Sequence, residues 1–150
     1  INLSKHYLYI TTPYLVIEDG MKNALIETAR SGVDVRIITP NIPDKKYVKM
    51  LTNYNYGALL ENGVRIYEYT PGFIHAKAII NEHCGIIGPI NMDYRSFGVW
   101  MSNEEVIDVI KEDLLKTMAE SREITLEEWK RRPLRLRMIQ PILNLFSTLM

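Results

Sequence analysis

The chain has 150 residues, 47% hydrophobic and 24% charged, with 18 basic side chains against 18 acidic ones. That is enough apolar chain for one ordinary core and too apolar for a disordered segment, so one folded domain is expected. A formal charge of zero argues against recognition through a broadly basic surface, while leaving room for a local basic groove.

A single cysteine, Cys84, excludes an internal disulfide; its apolar setting reads as a small buried residue, which fits a reducing compartment. No run reaches the roughly 18 to 20 consecutive apolar residues of a spanning helix, and no basic-then-apolar leader opens the chain. The first residue is Ile1 rather than methionine, which reads as a fragment or processed piece.

In chain order, Tyr7 to Thr12 (YLYITT) is β-branched and aromatic and stops at Pro13, so it predicts a strand. Glu18 and Asp19 place negative charge where a helix amino terminus favours it. Met21, Leu25, Ile26 and Ala29 then share one face before Ser31-Gly32. Val33 to Thr39 predicts a second strand closed by Pro40. Tyr47, Leu51, Tyr54 and Ala58 keep helical spacing up to Gly63, and Val64 to Tyr69 is a third strand. Strands alternating with helices at these lengths, with a hairpin to come, predict an α/β domain with a mixed, largely parallel sheet flanked by helices.

Pro71-Gly72 breaks that pattern. Ile74 to Ile80 and Cys84 to Ile87, separated by Asn81-Glu82-His83, read as a hairpin added to the sheet. Asn103 to Ser121 reads as a charged amphipathic helix, with a short preceding strand through Val106 to Ile110 as an option. Thr125 and Glu128 match a capping box ahead of another helix.

The chemistry concentrates at His75 and Lys77. On a strand these alternate residues share one face, while Ile74, Ala76 and Ala78 share the other. An imidazole can attack phosphorus, and an ammonium can hold the non-bridging oxygens of a phosphodiester as charge develops. Asn91, after the hairpin, offers a neutral donor. An isolated His-x-Lys triplet is equally a half-exposed strand face, so the surrounding sequence has to decide.

It does. PGFIHAKAIINEHCGIIGPINMDYRSF resembles the His-x-Lys segment of the phospholipase D superfamily, specifically that of bacterial cardiolipin synthases. YLYITTPYLVIEDGMKNAL, SGVDVRIITPNIPDKKYV, LLENGVRIYEY and SREITLEEWKRRP resemble successive parts of the carboxyl-terminal catalytic half of those enzymes. The resemblance implies a phospholipase D-like lobe over residues 1–128, the second half of a bilobal enzyme, followed by a basic tail over 129–150. It implies that two phosphatidylglycerol molecules become cardiolipin plus glycerol through a phosphohistidine. One histidine attacks phosphorus and the other moves protons.

By the same resemblance His75 is a catalytic histidine, Lys77 a phosphate-binding lysine and Asn91 the asparagine completing the phosphate site. No metal or organic cofactor is implied. The implied partners are phosphatidylglycerol, an anionic membrane surface, and either a missing amino-terminal lobe or a second identical chain; no nucleic acid is expected. The implied location is the bacterial cell membrane, on its cytoplasmic side.

Four departures from the family pattern stand out. Glu82 occupies a supporting position that is usually aspartate, and the turn before Cys84 is one residue shorter. Pro89 replaces a Ser or Thr, removing a hydroxyl and a backbone donor. Between Phe97 and Gly98, a stretch with the glutamate that orients the catalytic histidine is missing; Glu104 and Glu105 are the nearest substitutes. These departures raise a second reading, a catalytically impaired docking lobe. A third is a homodimeric phospholipase D-like phosphodiesterase or nuclease, to which the neutral charge is poorly suited.

His6 and His83 match no metal-ligand spacing and read as surface or turn residues. The nine tyrosines read mostly as packing residues at wet edges, some of them rimming a lipid entrance. Residues 102–128 carry nine acidic and three basic side chains, whereas 129–150 carry five basic and none acidic, which sets the tail apart. The tail reads either as a helix, kinked near Pro141, packed on its own domain or as an interfacial helix drawn to anionic lipid.

Overall fold

The computed structural model describes residues 1–88, 98–133, 135–136 and 138–139. Two strand-helix steps and a third strand open the chain: β1 (Tyr7–Thr11), α1 (Asp19–Arg30), β2 (Asp34–Pro40), α2 (Lys46–Glu61) and β3 (Arg65–Tyr69). A hairpin follows, of β4 (Ala78–Asn81) and β5 (Gly85–Ile87), then β6 (Val99–Met101), α3 (Glu104–Ala119), β7 (Ser121–Ile124) and α4 (Leu126–Lys130).

The local signals act where the sequence places them. Asp19 sits in the first turn of α1, 2.6 Å from Lys22, and helices α1 and α2 are each followed by a glycine at positive φ, Gly32 at 93° and Gly63 at 86°. A side chain at those two positions would strain the reversal into the next strand. The capping box forms: the Thr125 hydroxyl accepts from the Glu128 N–H, and the Glu128 carboxylate accepts from the Thr125 N–H.

The sheet runs β6-β5-β4-β1-β2-β3-β7. β1 pairs with β2, and β2 with β3, in parallel, as the alternation of strands and helices requires. The sheet is mixed, as expected, but antiparallel pairing outweighs parallel in it: β1·β4, β3·β7, β4·β5 and β5·β6 are all antiparallel. The short turn between β4 and β5 permits only antiparallel pairing there, while β4 and β7 flank the parallel β1-β2-β3 core running in the opposite direction.

Two apolar layers cover the sheet. Leu8, Ile10, Val35, Ile37 and Ile66 pack with Leu25 of α1 and Tyr56 and Leu59 of α2. On the other face Tyr7, Tyr9, Ile38, Tyr67 and Ile80 pack with Leu114 and Met118 of α3. Leu25 and Leu59 are fully buried, each contributing about 2 kcal/mol, so docking holds these helices more than propensity does. Val106 to Ile110 lies inside α3, not in a strand, because Asn103 caps the helix by accepting from the Val106 N–H. β6 and β7 are unforeseen strands; β7 exists because Ser121–Ile124 pairs with the outer edge of β3.

The hairpin stands where expected, but its first strand starts only at Ala78. Ile74 to Lys77 is extended chain outside the ladder, since β1 ends at Thr11 and offers no further partner. The turn is closed by Asn81, whose side-chain oxygen accepts from the N–H groups of His83 and Cys84 at 2.9 and 2.8 Å. Cys84 is half-buried at this turn rather than buried in the core.

Candidate active site

The carboxyl ends of β1, β2 and β3 and the amino end of β4 form one edge of the sheet. His75 and Lys77 reach that edge just before β4 begins. They lie outside the ladder, and burial does not alternate there: Ile74 packs against the α3-side layer, His75 and Ala76 are exposed, and Lys77 is buried. The His75 and Lys77 side chains meet each other. Three backbone ties hold the segment: Ala78 is registered on Thr11, the Gly88 N–H donates to the Lys77 carbonyl at 3.3 Å, and the Thr11 hydroxyl reaches the Ala76 carbonyl at 3.4 Å.

Lys77 is 7% exposed, and burial holds its ammonium below the ordinary lysine range. Its Nζ lies 3.0 Å from His75 Nδ1, 3.1 Å from Nε2 and 3.1 Å from the His75 carbonyl oxygen. Near-equal distances to both ring nitrogens put Nζ on the axis of neither lone pair, so this is a close approach and not a linear hydrogen bond. Among the described residues no carboxylate pairs with Lys77. A desolvated cation beside an exposed imidazole, both at a sheet edge, is suited to receiving an anion.

Phe73 stacks beside His75 with ring centroids 5.7 Å apart. An aromatic two residues before the histidine is visible in the sequence, whereas Thr11, which ties down Ala76, enters only through the pairing of β1 with β4. Deeper in the same edge, Glu68 is 5% exposed and accepts from Lys49 at 2.6 Å, Arg122 at 3.2 Å and the Tyr56 hydroxyl at 3.3 Å. Burial lowers the Lys49 ammonium, with Glu68 pulling it the other way. This cluster braces the end of β3, from which Pro71-Gly72 leads to His75.

Glu82 lies at the opposite edge of the sheet, beyond β4, away from His75. Its Oε1 accepts from the Lys5 N–H at 2.6 Å. Burial raises its carboxyl, but backbone N–H groups of Glu82, Lys5, Tyr7 and His6 outweigh that and hold it below the ordinary range. It therefore fastens the entry to β1. Glu104 is also on that side, lining a cavity of about 340 Å³ with His6, Tyr7, Glu82 and Lys111. Among the described residues no carboxylate touches His75. His83 is exposed and 3.6 Å from Glu82, and no group of three potential metal ligands occurs among the described residues. Asn91, Pro89, Phe97 and the tail from 140 onward fall outside the described residues.

Residues 1–129 match the family model described as cardiolipin synthase, PLD-like domain. The whole chain is 37% identical over 158 residues to a cardiolipin synthase of Clostridium perfringens strain SM101, and 38% identical over 157 residues to an uncharacterized protein of Streptococcus mutans. It covers 33% and 34% of those proteins, so the chain spans about one third of the length of the curated relatives it matches.

Two solved structures share the fold. The phosphatidylserine synthase of Haemophilus influenzae Rd KW20 superposes with a TM-score of 0.72 at 13% identity, over 98% of this chain and 40% of that one. The phospholipase D family member Nuc of Salmonella typhimurium gives 0.69 at 14% identity, over 83% of this chain and 85% of that one. With a family model matched over nearly all of its length and its His-x-Lys pair posed at the sheet edge, the chain belongs to the phospholipase D-like domain family of the cardiolipin synthases.

Proposed function

We propose that this chain is one catalytic lobe of a cardiolipin-forming phosphatidyltransferase. One observation carries the reading: a buried lysine without a carboxylate partner among the described residues touches an exposed histidine at the edge of the sheet. Lys77 would hold the non-bridging oxygens of phosphatidylglycerol. One histidine, His75 or its counterpart on a second lobe, attacks phosphorus; the phosphorus–oxygen bond to glycerol breaks and the other histidine protonates the leaving alcohol. The glycerol hydroxyl of a second phosphatidylglycerol then loses its proton to that base, attacks phosphorus and expels the first histidine. Splitting the exchange into two displacements keeps water out while one alcohol leaves and another enters.

In this reading residues 1–128 are a lobe that works against an amino-terminal lobe or a second copy, residues 129–150 are a separate basic tail, and Asn91 joins the phosphate site. The setting is the cytoplasmic side of a bacterial membrane. Incubating the protein with phosphatidylglycerol labelled in its glycerol headgroup tests this. Labelled glycerol and cardiolipin should form, and His75→Ala should abolish both; unchanged turnover by His75→Ala overturns the assignment.

A second reading is supported by the absence of a carboxylate at His75 among the described residues. A histidine without an orienting acceptor loses tautomer control, as expected of an impaired lobe that docks against an active one. A folded protein that binds vesicles but forms no cardiolipin would favour it.

A further inference from the structure

Helix α3 turns an unpaired acidic face to solvent. Its five carboxylates, on Glu104, Glu105, Asp108, Glu112 and Asp113, take part in no ion pair among the described residues. Glu104, Asp108 and Glu112 follow one another at i, i+4 spacing, where like charges repel. Of the two lysines on α3, Lys111 lies over the Tyr7 ring, its ammonium 4.2 Å from the centroid. Beside the acids stand Val106, 44% exposed, and Val109, 69% exposed. β-branched residues add nothing to helix propensity, and here they are not buried in the core either, so α3 carries an apolar patch rimmed by charge.

The chain after α4 is its complement. Residues 129–150 carry five basic side chains and no acidic one, against nine acidic and three basic over 102–128, two poles of opposite sign in one neutral chain. Arg135 is exposed and in no ion pair among the described residues. Residues 135, 136, 138 and 139 are helical, which puts Arg135, Met138 and Ile139 on one face; Met138 is 72% exposed and Ile139 45%. Within one chain the two surfaces face apart. Trp129 of α4 packs into the layer of Leu25 and Leu59, whereas α3 packs on the other face of the sheet through Leu114 and Met118.

We propose that the basic stretch after α4 of one copy of this chain docks antiparallel on α3 of a second copy. Met138 and Ile139 then cover Val106 and Val109, and Arg135 meets Glu112 and Asp113. The spacings agree. At about 1.5 Å per residue, the acidic pair lies about 7.5 Å along α3 from the valines, and Arg135 lies about 5 Å from the centre of Met138 and Ile139. An arginine side chain spans the difference. Direction follows from order, because the acids come after the valines in sequence whereas the arginine precedes its apolar pair. Exchange in both directions closes the pair about a two-fold axis.

Two single-cysteine proteins test the contact, Val109→Cys and Met138→Cys, each in a Cys84→Ser background. Mixed under mild oxidation they should form a disulfide-linked heterodimer. Leu3→Cys, equally accessible at 75% exposure, should not replace Met138→Cys in that reaction. Sedimentation equilibrium of the unmodified chain should show a dimer. Glu112→Arg and Arg135→Glu should each weaken it about tenfold, since each of two reciprocal contacts exchanges an exposed ion pair for a like-charge one. Combining the two substitutions in one chain restores opposite charges and should recover the dimer to within about threefold of the original.

A chain that stays monomeric at high micromolar concentration, a heterodimer yield matched by Leu3→Cys, or no recovery in the charge swap overturns the proposal. A monomer whose flotation with phosphatidylglycerol vesicles is lost on Arg135→Glu overturns it in favour of a lipid surface.

Discussion

Lys77→Met should make the protein more stable while removing the proposed phosphate contact. Methionine has nearly the length and volume of the lysine stem, so no cavity opens at a site that is 7% exposed. What disappears is a buried positive charge whose polar neighbours are the His75 ring and carbonyl oxygen. Desolvating an ion costs several kcal/mol, and the hydrogen bond to the carbonyl returns about 1.5–3 kcal/mol of that. The balance predicts a gain of about 1–2 kcal/mol, or about 2–6 °C in melting temperature for a domain of this size.

The sign of the pH dependence follows from burial, which lowers the Lys77 ammonium in the folded state. The unfolded chain then binds more protons than the folded one between the lowered value and the ordinary 10.5. The penalty is therefore full below that window, and it fades as the pH rises through it. Thermal melts of wild type and Lys77→Met at neutral pH and at pH 10 should show a gap that narrows on the alkaline side. Loss of transition-state stabilisation should lower turnover about 10²–10³-fold. If Lys77→Met destabilises the fold by 1 kcal/mol or more, the lysine is a satisfied structural residue and the case for a waiting anion site fails.

Gly57→Ala should disrupt the docking of α4, because the new Cβ would collide with the Trp129 ring at Cη2. Overpacking of this kind costs about 1–3 kcal/mol, against about 1 kcal/mol gained in helix propensity, so denaturant melts should show a net loss. In a Trp129→Ala background the same change should instead stabilise, and a double-mutant cycle reads that sign reversal. Glu82→Gln should cost about 1.5 kcal/mol at neutral pH by weakening charge-assisted bonds to the start of β1. Because the folded carboxyl is lowered, the wild-type advantage is present above pH 4.5 and disappears as the pH falls through the lowered value, which urea melts from pH 7 to pH 3 would reveal. Glu68→Gln should cost about 3–5 kcal/mol, because it leaves Lys49 desolvated without its carboxylate partner; a smaller loss in urea melts would mean that Pro40, whose carbonyl Lys49 also meets, suffices.

Much of this molecule was determined by its sequence. Period-two and period-3.6 patterns, and the glycines at 32 and 63, define two strand-helix steps and a third strand. His-x-Lys with its flanks marks the proposed site, since an imidazole and an ammonium are groups that phosphodiester chemistry can use. Pairing partners were not legible, because a strand's neighbours lie outside its own sequence. That is why β7 emerged only on the outer edge of β3, and why antiparallel pairing outweighs parallel.

The same limit explains Glu82, close to Lys77 in sequence. β4 carries it to the opposite edge, so its five-residue spacing from the lysine says nothing about contact. Lys77 reads as exposed in any local scheme. Only the tertiary structure buried it beside His75 without a carboxylate, because burial and charge pairing are set by segments far apart in the chain.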